Sequence, residues 1–248
     1  MARDNDNLVW AEFGEVLRLP VDRDRDYVHG IPWDAAGFLP QLPLVDIGSG
    51  TGLTTITLAE RFPDTEIVSV EPEPMSRSLQ MLRIAERDEI RSRTTVLPEP
   101  ILQAWLPEQC GGAFLFNVIY FLGGRERDAF WQRMARVMAP GAPILLSRSY
   151  GGVPDKPVER ELVQSAAMGR MEYQRWFEAH PVAGGRVEVT NTFRVLRDGE
   201  QVREVVSTIH PFGLDEDVVL EEVPIGQFGI EELDDRYFAI RRLPDIVR

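Results

Sequence analysis

Apolar and polar residues follow two distinct patterns along the middle of the chain. Between residues 42 and 143, short apolar runs typical of buried strands are followed by stretches in which apolar residues recur every three or four positions, as in amphipathic helices. The strand-like runs are residues 44–47, 67–70, 94–97, 113–119 and 144–147, and the helix-like stretches are 53–62, 75–85 and 125–138. Strands separated by helices predict a doubly wound α/β fold with a mostly parallel, seven-stranded sheet.

The rest of the chain follows other patterns. Residues 8–18 and 157–180 have helical spacing, whereas residues 186–196 and 202–209 alternate around Asp198 and Gly199, a pair typical of a two-residue hairpin turn. A short helix capped by Asp215 and a second hairpin, residues 226–232 with 236–242, close the chain. We therefore expect an antiparallel β-hairpin insertion after the fifth strand. The predicted organisation is an N-terminal helical cover at 1–41, the α/β core at 42–150, an inserted helix and hairpin at 151–212, and a C-terminal helix and hairpin at 213–248 that complete the core sheet.

Charge and composition narrow the classes of partner. The 248 residues carry a formal net charge of −13, which disfavours nucleic acids and anionic membranes because both are bound through clustered Lys and Arg. Cys110 is the only cysteine, so an intrachain disulfide is excluded and a reducing compartment fits. The polar N-terminal stretch is not followed by an apolar run of signal-peptide or membrane-span length. We expect a soluble, cytoplasmic protein.

One segment carries the clearest chemical signal. Residues 45–52, VDIGSGTG, run from the first predicted strand through three glycines into a helix, and glycines let a ligand approach the main chain closely. Glu71 ends the next strand, about where a carboxylate accepts the two hydroxyls of a ribose. The competing ligand is a dinucleotide, but the third glycine comes one residue early for that fingerprint. Asp46 would moreover repel a pyrophosphate and favour a cation.

These motifs resemble those of the class I, Rossmann-like, S-adenosylmethionine-dependent methyltransferases. The resemblance covers about residues 42–147: VDIGSGTG is similar to the first motif, VEPEPM at 70–75 to the second, FLFNVI at 114–119 to the fourth strand, and VMAPGA at 137–142 to the turn before the fifth strand. It implies that S-adenosylmethionine is the cofactor and that an oxygen or nitrogen of a small molecule accepts the methyl group. Similarity to small bacterial enzymes of this fold points to secondary metabolism.

The resemblance also implies which residues hold the cofactor, with one departure from the family pattern. Where the family has Asp-Ala after the third strand, residues 97–101 read LPEPI: Glu99 lies near the acid position, but Pro100 has no N–H to donate. Either Ile101 is the donor or the register shifts by one. The predicted cofactor-binding residues are Asp46, Gly48, Gly50, Gly52, Glu71, Pro72, Met75, Glu99, Ile101 and Asn117.

Candidates for the catalytic chemistry are fewer. His29 precedes the glycine motif and has a side chain suited to a general base, although a hydrogen-bonded loop histidine has the same sequence signature. Tyr120 follows the fourth strand and offers an aromatic face to a cationic methyl group, or else packs in the core. Three scattered histidines and one cysteine do not form a metal-ligand set, so we expect no metal.

The region after the fifth strand has two interpretations. The first is an acceptor-binding cover to which Trp176 and Phe177 contribute, because a cover excludes water from a reactive sulfonium. The second is a dimerisation arm, because a hairpin offers an exposed edge and would make the protein a homodimer. For the whole chain, an NAD(P)-dependent oxidoreductase, a non-methylating enzyme and a binding protein remain alternatives on the same fold.

Overall fold

The chain forms two compact units, one of residues 28–150 and 215–248 and one of residues 1–27 and 151–214. The structure is a computed structural model and describes residues 3–18, 30–147, 156–214 and 216–244. No helix in these described ranges combines the length and the apolar character that crossing a membrane requires.

The first unit is built from a central sheet and flanking helices. Its strands are β1 (Leu44–Ile47), β2 (Ile67–Val70), β3 (Thr94–Leu97), β4 (Gly112–Leu115), β5 (Pro143–Ser147), β10 (Phe228–Glu232) and β11 (Tyr237–Arg242). Its helices are α2 (Trp33–Ala36), α3 (Leu53–Arg61), α4 (Pro74–Ala85), α5 (Asp88–Arg91), α6 (Gly124–Val137) and α7 (Glu216–Glu221), with one 3-10 turn at Ile119–Phe121.

The sheet confirms the predicted fold class. Its strand order is β10-β11-β5-β4-β1-β2-β3, and β1 to β5 pair in parallel. β11 is antiparallel to both β5 and β10. All residues of β1, β2, β4 and β5 are buried, as expected for parallel strands covered by helices on both faces. The carboxyl ends of β1 to β5 therefore lie at one edge of the sheet, where open α/β sheets bind their ligands.

The second unit is an antiparallel sheet with one helix. The helix α1 spans Arg3–Arg18, and the sheet has the order β6-β7-β8-β9, with β6 at Val158–Met168, β7 at Met171–Val182, β8 at Arg186–Arg197 and β9 at Glu200–Ile209. The turn between β8 and β9 lies at the predicted Asp198-Gly199 pair, where both residues have positive φ. The insertion thus contains four strands in place of the two that the sequence predicted.

The predicted helix at residues 157–180 is wrong, because those residues form β6 and β7. The segment is rich in Glu, Gln, Ala and Met, which have good helix propensity. Long-range pairing overrides that local preference: β7 pairs with β8 at twelve successive positions. Gly169, with φ of +61°, lies in the tight turn that reverses the chain between β6 and β7.

One face of the inserted sheet packs against α1. Val9, Phe13 and Leu17 of the helix form a buried apolar cluster with Phe193 and Val195 of β8. The rings of Phe13 and Phe193 stack with their centroids 5.0 Å apart. The helix therefore belongs to the core of the inserted unit.

Candidate active site

The glycine-rich loop joins β1 to α3 and has two tightly packed glycines around an open one. Gly48, Gly50 and Gly52 all have positive φ, at +67°, +56° and +88°. A Cβ at Gly48 would lie 2.3 Å from Val118 Cγ2, and one at Gly52 would lie 2.6 Å from Gln80 Cγ, so both positions exclude a side chain. A Cβ at Gly50 would meet no atom within 4 Å. The centre of the loop therefore presents bare main chain to open space, as a ligand-binding loop must.

Glu71, directly after β2, holds this loop through its carboxylate. Its Oε2 accepts a hydrogen bond from the Gly50 N–H at 2.7 Å, and its Oε1 accepts one from the Glu73 N–H at 2.8 Å. The residue is only 7% exposed. A carboxylate has about four acceptor positions. The two backbone bonds thus orient the group and leave about half of its acceptor capacity for a ligand.

A buried polar network lies beneath the loop. Asp46 Oδ2 accepts a hydrogen bond of 2.6 Å from the Thr55 hydroxyl, and Gln80 Nε2 donates to Thr55 Oγ1 at 2.9 Å. Ser69 Oγ accepts from Gln80 Nε2 and donates to Ser49 Oγ at 2.6 Å, and the Ser49 hydroxyl donates to Gln80 Oε1 at 3.2 Å. All five side chains are buried. Residues of β1, β2, α3 and α4 are thereby joined at the carboxyl edge of the sheet.

Two buried carboxyl groups give this edge its electrostatic character. Burial raises the pKa of Asp46 to about 7; the hydrogen bond from Thr55 opposes the rise and the nearby charge of Glu71 adds to it. Burial also raises the pKa of Glu71, and the hydrogen bonds from the Glu73 and Gly50 N–H groups oppose that rise. Because both acids are disfavoured as anions here, a cationic ligand close to them would lower their ionisation cost.

The other predicted cofactor-binding residues follow β2, β3 and β4 at the same edge. Ile101 is buried after β3 in a turn where the Pro100 carbonyl accepts the N–H groups of Gln103 and Ala104 at 2.8 and 2.9 Å. Asn117 follows β4 with a positive φ of +58°. The exposed members of the set are Pro72, Met75, Glu99 and Asn117. The topology thus brings the predicted set to one edge of the sheet.

The structure describes only one of the two candidate catalytic residues. Tyr120 lies in the 3-10 turn after β4 and is partly buried, and the neighbouring Phe121 is 58% exposed. His29 lies outside the described residues. The structure therefore places Tyr120 at the ligand edge of the sheet, on the loop whose Val118 packs over the glycine motif.

Sequence reasoning missed five residues of the site, Ser49, Thr55, Ser69, Gln80 and Val118. The first four form the network beneath the loop together with Asp46, and Val118 excludes a side chain at Gly48. A polar Ser69 within the apolar second strand was a signal that could have been used, because buried polar groups need partners. Nothing in the sequence indicates that Gln80, in the middle of α4, points inward.

The amino-acid sequence is similar to known methyltransferases over part of its length. Residues 45–146 match the family described as "Methyltransferase domain". A curated relative, the tRNA1(Val) (adenine(37)-N6)-methyltransferase of Porphyromonas gingivalis, is 49% identical over 43 residues. That match covers 17% of this chain and only 16% of the relative, so the chain spans about a sixth of the length of this relative.

Solved structures extend the similarity to nearly the whole chain. DesVI of Streptomyces venezuelae superposes with a TM-score of 0.73 at 15% identity, over 94% of this chain and 98% of DesVI. CalS10 of Micromonospora echinaspora, an amino pentose methyltransferase involved in calicheamicin biosynthesis, was solved with S-adenosylmethionine bound. It superposes with a TM-score of 0.68 at 19% identity, over 89% of this chain and 90% of CalS10. At 15% and 19% identity, the similarity shows a shared fold and nothing more.

Proposed function

We propose that the chain, whose residues 45–146 match a methyltransferase domain, is a class I, S-adenosylmethionine-dependent methyltransferase that methylates a nitrogen of a small amino sugar. The observation that supports cofactor use most directly is the Glu71 carboxylate, oriented by the Gly50 N–H at 2.7 Å beside an open glycine loop. S-adenosylmethionine is the cofactor. The acceptor class and the attacked atom are our proposal, and a hydroxyl oxygen is the alternative atom.

The residues at the sheet edge fit this cofactor. Glu71 has acceptor positions suited to the two ribose hydroxyls, and Gly50 would allow the main chain to contact the ligand closely. The two buried acids, Asp46 and Glu71, favour a ligand with positive charge over one with a pyrophosphate. We propose that Pro72, Met75, Glu99, Ile101 and Asn117 complete the cofactor site, with the apolar members next to the adenine.

Little acid–base chemistry is required of the protein. When bound, the cofactor supplies a methyl group that its sulfonium already activates. The chain's residues then have to orient the cofactor, align the acceptor and exclude water. An amine needs only to arrive neutral, whereas a hydroxyl acceptor benefits from a base. We propose that Tyr120 borders the transferred methyl group, and that His29 is the base if an acceptor requires one.

Two observations support a small, sugar-like acceptor. CalS10 is named as an amino pentose methyltransferase, and it shares this fold over 89% of the chain. The formal charge of −13 disfavours a nucleic acid, although the short curated match is to a tRNA-modifying enzyme. CalS10 is also involved in the biosynthesis of a natural product, which supports our placing this enzyme in secondary metabolism.

A methylation assay tests the proposed function. The enzyme is incubated with S-adenosylmethionine carrying a deuterated methyl group and a panel of amino sugars, their hydroxyl counterparts and an unmodified tRNA. Mass spectrometry should find the label on the nitrogen of at least one amino sugar, with equimolar S-adenosylhomocysteine. Label on oxygen alone, or on tRNA alone, would contradict the proposed acceptor while leaving the cofactor assignment intact.

A further inference from the structure

Gln80, in the middle of α4, is a polar side chain that is completely buried beneath the glycine-rich loop. Its Nε2 donates to the hydroxyls of Thr55 and Ser69, and its Oε1 accepts a hydrogen bond of 3.2 Å from the Ser49 hydroxyl. A primary amide carries two N–H donors and one acceptor oxygen, so both ends of this amide are occupied. These bonds fix the orientation of the Gln80 side chain.

The Ser49 hydroxyl joins the loop to this helix. Ser69 Oγ donates to Ser49 Oγ at 2.6 Å, and Ser49 Oγ donates to Gln80 Oε1. Because Gln80 Nε2 donates to Ser69 Oγ, the three side chains form a closed ring in which each donates to the next. A buried polar group that loses its partner costs the full desolvation of that group. The ring therefore stabilises one position of Ser49 over the others that the loop could adopt.

The main chain of the loop needs such a constraint because of its glycines. All three have positive φ, and glycine loses more conformational freedom on ordering than any other residue. Gln80 also packs against the end of the loop, where a Cβ on Gly52 would lie 2.6 Å from Gln80 Cγ. Glu71 holds the intervening Gly50 through its N–H. The loop is thus held at three successive points, and Gln80 supplies two of them.

We propose that Gln80 is a positioning residue for cofactor binding, which holds the glycine-rich loop through Ser49 in the conformation that binds S-adenosylmethionine; this inference rests on the cofactor site proposed above. The Gln80 amide is completely buried and occupied by protein groups, so Gln80 acts through the loop and does not contact the ligand. When only a fraction of the molecules has the competent loop conformation, the measured Kd rises by the reciprocal of that fraction. Opening the ring should therefore weaken binding without removing a ligand contact.

The test uses two variants that open the ring from opposite sides and one matched control. Gln80→Met removes the amide but keeps the Cβ and Cγ that pack against Gly52. Ser49→Ala removes the hydroxyl on the loop. Thr65→Val is the control, because Thr65 is also buried and its hydroxyl donates to the Pro40 carbonyl at 2.6 Å, but it precedes β2 at the amino edge of the sheet. Calorimetry with S-adenosylhomocysteine and thermal melting are carried out on the full chain for each variant and for Ser49→Ala/Gln80→Met.

We expect Gln80→Met and Ser49→Ala each to weaken S-adenosylhomocysteine binding by about 2- to 12-fold, the loss of one hydrogen bond. The double variant should lose no more affinity than the weaker-binding single variant, because both changes break the same contact. Gln80→Met and Thr65→Val should both melt at a lower temperature than the wild type, since each loses buried hydrogen bonds. Thr65→Val should nevertheless bind S-adenosylhomocysteine like the wild type.

Several results would overturn the inference. Wild-type affinity in Ser49→Ala would do so even if Gln80→Met fails to fold. Losses of affinity that add in the double variant would also do so, because Gln80 would then act independently of Ser49. Unchanged affinity in these variants, with binding by the wild type, would leave the proposed function intact. An absence of S-adenosylhomocysteine binding by the wild type would contradict the cofactor site and this inference with it.

Discussion

Replacing Glu71 by alanine tests whether its carboxylate binds the cofactor. The change removes the acceptor for the Gly50 and Glu73 N–H groups, at 2.7 and 2.8 Å, together with the carboxylate that we assign to the ribose. A hydrogen bond to a charged group contributes about 1.5–3 kcal/mol, which corresponds to roughly 10- to 150-fold in affinity. We therefore expect calorimetry to show S-adenosylhomocysteine binding to Glu71→Ala weakened by at least about tenfold.

Glu73→Ala is the matched control for this experiment. Glu73 caps α4, where its carboxylate accepts hydrogen bonds from Met75 N at 3.0 Å and Ser76 N at 2.6 Å. Losing such a cap costs about 0.5–2 kcal/mol of stability, so this variant should melt several degrees lower and keep its ligand affinity. The assignment of Glu71 is refuted if its alanine variant binds S-adenosylhomocysteine as tightly as the wild type.

Three further expectations follow from the geometry. Gly50→Val should abolish S-adenosylhomocysteine binding in calorimetry, because the side chain projects into the open space of the loop and the φ of +56° strains the backbone there; the circular dichroism spectrum should stay native because a Cβ meets no protein atom within 4 Å, and retained binding would mean that the loop does not contact the ligand. Asp46 has its pKa raised to about 7 in the folded protein, so its stabilising contribution is complete below the unfolded pKa near 4 and is lost as the pH rises to about 7. Asp46→Asn should therefore show a smaller fall in melting temperature between pH 5 and pH 8 than the wild type, and equal slopes would contradict the buried acid. If the inserted region covers the acceptor, Trp176→Ala or Phe177→Ala should change the acceptor KM and leave S-adenosylhomocysteine affinity nearly unchanged. If either variant changes only the sedimentation mass, a dimerisation arm is the better interpretation of the insertion.

The sequence predicted the core well because its signals are local. The bounds of β1 and β2 agree with the predicted runs at 44–47 and 67–70, since buried parallel strands are short apolar segments. The predicted run at 94–97 agrees with β3, a partly exposed strand at the edge of the sheet. The glycine motif and Glu71 were recognisable because both are fixed by position relative to a strand end. The structure adds that Glu71 also holds the loop through Gly50.

The inserted unit was less predictable because its structure depends on distant pairing. Residues 157–180 have helix-forming composition, yet β7 is held by twelve pairs with β8. The hydrogen-bond network around Thr55 and Gln80 could not be predicted either, because it depends on which faces of α3 and α4 point toward the sheet. Asn191 and Ser207 are ordinary polar residues in the sequence, and only the three-dimensional structure shows that Asn191 Nδ2 and Ser207 Oγ are buried with no partner among the described residues.

The most direct test of the central claim is a comparison of melting temperatures with S-adenosylhomocysteine and with NAD. At a ligand concentration 100 times Kd, binding adds about 2.7 kcal/mol of stability, a rise of roughly 5–10 °C for a chain of this size. We expect this rise with S-adenosylhomocysteine and no rise with NAD, because the paired acids beneath the glycine loop favour a cationic cofactor and disfavour a pyrophosphate. A rise with NAD and none with S-adenosylhomocysteine would contradict the account.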